Sequence, residues 1–126
     1  MKEDTPLLRQ VHPSFIQNGR VSSQVFRPTP KDDKKLSVYD GHAIAASDAY
    51  EHYTTSLKQS SVGVMAVTCQ ECKELELETK DDPLENFPKH AVIDFSPYGT
   101  NSTEKKAKIL RSRAEKRDWL FSNTGT

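Results

Sequence analysis

The run Ser61-Val62-Gly63-Val64-Met65-Ala66-Val67 constrains this chain more than any other segment. It is continuously apolar and reads as a central strand covered on both faces. Thr68-Cys69-Gln70-Glu71 follows at once and matches a capping box, in which the Thr hydroxyl and the Glu carboxylate each satisfy an orphan amide. The strand is therefore expected to run straight into a short helix from Cys69 to about Leu75. His90-Ala91-Val92-Ile93-Asp94-Phe95 is a second candidate central strand, ended by Pro97 and Gly99.

The remaining segments fill in around these two. Leu7 to Val11 reads as a short strand closed by His12-Pro13. Asn18-Gly19 favours a hairpin between residues 14–17 and 20–26. Arg27-Pro28-Thr29-Pro30 is expected to be extended, and Lys31 to Lys35 a charged loop. Leu36-Ser37-Val38-Tyr39 alternates like an edge strand and is turned by Asp40-Gly41. A helix begins near Ser47 and carries Ala49, Tyr50, Tyr53 and Leu57 on one stripe. Residues 81–88 read as an acidic, proline-bearing loop. A longer helix capped within Asn101 to Glu104 runs to Lys116 or Arg117, with Ala107, Leu110 and Ala114 as its core stripe. Trp119 to Phe121 is expected to fold back over the core. The pattern predicts an α+β fold, with a small mixed sheet of four to five strands, two main helices and one short helix.

Composition sets the scale. Leu, Ile, Val and Phe account for 26 of 126 residues, about 21%, close to the roughly 20% level below which chains tend to stay unfolded. The formal net charge of zero removes the other half of that signature. One thinly cored domain over residues 7–121 is expected, with loose ends at 1–6 and 122–126. No apolar run approaches the ~18 residues of a membrane span. Two cysteines are too few for a disulfide scaffold, which points to a reducing cytoplasm. Charge balance argues against a dedicated nucleic-acid binder.

Three groups of residues could carry function. Cys69-x-x-Cys72 at a helix start is the placement that stabilises a thiolate, and His90 is the imidazole that opens a candidate central strand. Against this thiol site, Glu71 lies between the cysteines, and Val67-Thr68 stands where thioredoxin-like dithiols carry Trp. A zinc site would need ligands beyond one such pair. The four histidines are spread singly, and no metal or cofactor is expected. His90 and Asp94 are four residues apart on one strand, about 13 Å, and cannot form a dyad. The second group is a basic patch on the last helix, Lys105, Arg113 and Lys116, which could meet an acidic partner or nucleic acid.

The third group is Phe26, Leu36, Val38, Tyr39, Trp119 and Phe121, apolar residues near chain edges where a partner could cover them. The Leu36 to Tyr39 strand could also receive a partner strand. With the titratable side chains read as never converging, the expected function is a non-enzymatic protein-interaction module, an accessory or regulatory subunit whose partner is another protein. Homo-oligomerisation is left open. The alternatives are a thiol- or histidine-dependent enzyme and a weak nucleic-acid binder. Ser22 to Phe26 with Leu36 to Val38, and Pro88 to Val92 with Ala114 to Trp119, resemble an uncharacterised family of small bacterial cytoplasmic proteins. The resemblance implies a single-domain bacterial protein and supplies no activity, cofactor or catalytic residue.

Overall fold

The computed structural model describes residues 1–29 and 33–123. The expectations for residues 30–32 and 124–126 lie outside the described residues. Among the described residues eight strands form: β1 (Pro6–Gln10), β2 (Ile16–Gln17), β3 (Arg20–Val21), β4 (Lys35–Asp40), β5 (Gly63–Thr68), β6 (Glu78–Asp81), β7 (His90–Asp94) and β8 (Phe121–Ser122). The helices are α1 (Ala46–Glu51), continued by a wider π turn over His52–Ser56, α2 (Cys69–Glu74) and α3 (Thr100–Arg117). The fold is α+β, as expected. The sheet is larger than expected, with six strands in the order β6-β7-β4-β1-β5-β8, beside a separate β2–β3 hairpin. All of its pairings are antiparallel, so the expected mixed sheet is corrected.

The apolar run is β5, held between β1 and β8. Thr68 then caps α2 as a full capping box: its Oγ1 accepts from Glu71 N–H at 3.2 Å, and Glu71 Oε1 accepts from Thr68 N–H at 2.9 Å. Two other helix starts differ from expectation. α1 begins after Ala45 and α3 after Gly99, neither with a side-chain cap bond. Tertiary packing of Ala49, Ala107, Leu110 and Ala114, all fully buried, holds these helices in place of a strong cap. The hairpin turns at Asn18 (φ 52°) and Gly19 (φ 76°), the left-handed pair that Asn-Gly favours. Its second arm is shorter than expected, because Ser23–Phe26 closes into a 3₁₀ turn.

Period-2 alternation gives the sheet two covered faces. Leu7, Leu36, Val38, Met65, Val67, Ala91 and Ile93 face the layer made by α3 and the Ser23–Phe26 turn. Leu8, Tyr39, Val64 and Ala66 face α1, the π turn and Phe87. β4 is not an edge strand: it pairs with β1 on one side and β7 on the other. The edges are β6 and the two-residue β8. No helix among the described residues is long and apolar enough to cross a membrane.

Candidate functional site

The α1 face of the sheet brings together groups that are far apart in the chain. Ser37 and Tyr39, two residues apart on β4, project from this face. His90 opens β7 opposite Tyr39, and His52 comes from the π turn. The loop between β6 and β7 closes over them with Asp82, Asn86 and Phe87. His90 Nδ1 lies 2.8 Å from the Asp82 carbonyl oxygen, which can only accept, so Nδ1 carries the proton. Nε2 lies 3.0 Å from Ser37 Oγ and, in the neutral form of the ring, accepts from that hydroxyl. The Asp82 carboxylate stands 3.2 Å from the same Nδ1. His52 repeats the pattern: Nε2–H donates to Asn86 O at 3.0 Å, and Nδ1 accepts from Tyr39 Oη–H at 2.7 Å. Phe87 packs against all three rings, with centroids 4.4 Å from Tyr39, 5.3 Å from His52 and 4.6 Å from His90.

These observations correct the expectation that titratable side chains never converge. His90 and Asp94 do not pair; the partner of His90 is Asp82, supplied by a loop. The tautomer is the one in which His90 could take a proton from Ser37, with Asp82 orienting the ring. Burial pushes the Tyr39 hydroxyl above its ordinary value of 10.0, with Tyr53 adding to the effect, so Tyr39 is held as a neutral donor. A cavity of about 260 Å³ opens beside His90, walled also by Asp40, Asp81 and Lys89; Ser37 is not in its wall. Ser37 is half-buried and His90 is 6% exposed.

The thiol site is not assembled. Cys69 and Cys72 lie with the α3-side core, whereas His90 projects from the opposite face of the sheet. Cys72 is fully buried, and burial first, then Cys69 and Glu71, push its thiol well above its ordinary range. Cys69 is half-buried, and its Sγ accepts from Thr79 Oγ1 at 3.4 Å. Among the described residues no group of three or more His, Cys, Asp or Glu is placed to hold a metal ion.

The interaction residues are also redistributed. Phe26, Leu36, Val38 and Tyr39 are 0–2% exposed and form the two core layers, so no partner can cover them in this fold. Trp119 and Phe121 are half-buried: Trp119 packs on the larger core, and Phe121 stacks on Tyr50 at 4.7 Å. The basic patch divides. Arg113 stands 3.6 Å from Glu74, while Lys105 and Lys116 are exposed. Other α3 cations bolt the helix down. Arg117 meets Glu71 at 3.0 Å and donates to Ala66 O at 2.8 Å, and Lys106 donates to Leu75 O at 2.6 Å and lies over the Tyr98 ring.

A groove of about 410 Å³ runs beside the free edge of β6. Residues 1–3, Cys69 and Lys73 form one side, and residues 76–79 the other. No protein-family model, curated protein or solved structure compared with the chain matches it.

Proposed function

We propose that the chain is a protein-interaction module, an accessory or regulatory subunit whose partner adds an extended segment to the free edge of β6. The observation that carries this reading is the open edge beside the groove. Asp82 N–H bonds to His90 O at 2.9 Å, which sets the alternation along β6. By that alternation the N–H and C=O groups of Thr79 and Asp81 point away from β7. An incoming strand would bond to them and lay side chains over Leu77, Cys69 and Thr79 in the groove. The strand itself reads Glu78-Thr79-Lys80-Asp81, and a charged edge resists indiscriminate pairing. A fitting partner places an acid across from Lys80 and a base across from Glu78.

Asp81→Pro tests this reading, because it deletes an outward N–H and leaves the ladder to β7 intact. The expected result is a complex co-purified from the native host in which the Thr79 and Asp81 amides are protected from deuterium exchange. The variant should lose that complex. A chain that is monomeric by light scattering and retains no partner, or a complex indifferent to Asp81→Pro, would overturn the proposal.

A second reading is favoured by the line Asp82–His90–Ser37: acyl transfer with Ser37 as nucleophile and His90 as base. Covalent labelling of Ser37 by a fluorophosphonate, lost in His90→Gln, supports it; an unlabelled, folded wild type rejects it.

A further inference from the structure

We propose a second site, for a phosphate group, in the cavity between the β2–β3 hairpin, the Ser23–Phe26 turn and α3. This cavity measures about 280 Å³, and its wall includes Arg20, Lys108, Arg111, Ser22, Ser23 and Asn18. Three cations and two hydroxyls thus converge on a space with no carboxylate in its wall. The acid that meets these cations is Glu115. It forms two 2.9 Å bonds with Arg20 and lies 3.7 Å from Arg111 Nε. Counting Arg20, Lys108 and Arg111 against Glu115 leaves two positive charges without a counter-charge, the complement of a phosphomonoester dianion.

Hydrogen bonding points the same way. Four buried side-chain polar atoms among the described residues lack a partner, and two of them, Ser22 Oγ and Arg111 Nε, belong to residues of this wall. Buried polar groups are nearly always paired; Ser22 Oγ has no partner in the fold, whereas Arg111 Nε keeps the Glu115 carboxylate at 3.7 Å. Arg111 is already anchored, NH1 donating to Val21 O at 3.3 Å, which holds the guanidinium at the cavity rather than in solvent. Lys108 is exposed on α3 with no ion pair among the described residues, leaving its ammonium to reach in. A volume of 280 Å³ exceeds what inorganic phosphate fills. We therefore assign the site to the phosphate of a small phosphorylated molecule.

The full chain is titrated with inorganic phosphate and, separately, with adenosine monophosphate, while backbone amide shifts are followed by NMR. Saturable shifts confined to residues 17–23 and 108–111 are expected, with the nucleotide tighter than phosphate if the organic part is also held. Lys108→Glu should weaken binding by about tenfold or more, as the loss of a charge-assisted contact and its reversal predict. Lys105→Glu changes net charge equally on the same helix outside the cavity and should leave affinity unchanged. Ser22→Ala should weaken binding about threefold or more. It removes an unpaired group and should not lower the melting temperature in phosphate-free buffer. Equal losses in Lys105→Glu and Lys108→Glu, or shifts that rise linearly and scatter over the surface lysines, would overturn the proposal. Unaltered affinity in both Lys108→Glu and Ser22→Ala would do the same.

Discussion

Ser37 Oγ lies 3.0 Å from His90 Nε2, across 53 residues of chain, and the bond ties β4 to the first residue of β7. The other ring nitrogen binds Asp82 O at 2.8 Å, so one imidazole fastens the loop after β6 to the sheet. Removing either partner leaves a buried polar atom unpaired. His90→Ala should cost about 3 kcal/mol, from the lost ring volume and two lost bonds. Ser37→Ala should cost about 1 kcal/mol. Urea unfolding measures both, and ¹⁵N shifts of His90 should report the Nδ1–H tautomer. A ring protonated on Nε2 alone would contradict the hydrogen-bond assignment.

The two cysteines should react very differently. Cys72 is sealed in the core with its thiol pushed up by burial, whereas Cys69 lines the groove beside β6. Under native conditions an alkylating reagent should add one label, at Cys69, and the second only after unfolding. Mass spectrometry reads the count. Two labels at similar native rates would mean that α2 opens readily.

Acid should weaken the join between β5, α2 and α3. Burial alone would raise the Glu71 carboxyl, but bonds from Arg117 and from Thr68 N–H outweigh it and hold it below its ordinary value of 4.5. Glu115 is held below 4.5 in the same direction, chiefly by the hydrogen bond from Arg20. A carboxyl whose native value is depressed stabilises the fold fully above its unfolded value and loses that contribution as pH falls through the native value. The contribution of these two carboxyls should therefore be full well above pH 4.5 and be lost as pH falls below about 4.5. Glu71→Gln should be less stable than wild type at neutral pH and show a shallower acid limb. Parallel pH profiles for the two proteins would refute this.

Gly63 is required by what lies against it. A Cβ there would meet Phe121 O at 2.5 Å and the Trp119 ring at 2.9 Å. Gly63→Ala should push β8 off β5 at a cost of about 2–3 kcal/mol. Emission from Trp119, the only tryptophan, should shift to the red. Gly99→Ala, where nothing lies within 4 Å, is the control and should change little. An unshifted emission in Gly63→Ala would show that β8 accommodates the methyl group.

Much of the architecture could be read from local chemistry. β5 and β7 are apolar runs, the α2 cap is a four-residue motif, and the Ala107–Leu110–Ala114 stripe is a helical spacing within α3. The Asn18-Gly19 turn is equally local. β6 was not legible, since Glu-Thr-Lys-Asp has little strand character and becomes a strand by pairing with β7.

Except at β6, segment type was thus decided by neighbours within a few residues, where side-chain period and capping bonds operate. Strand order was not, because pairing partners are chosen by how faces pack across the whole sheet. That choice placed β4 inside, turned Leu36, Val38 and Tyr39 into core, and left β6 as the open edge. It also set His90 against Ser37 and Asp82, and Arg111 and Lys108 against the hairpin. Hydrogen bonds reach only about 3 Å, so which distant groups come within range is a property of the packed fold and has no signature in linear spacing.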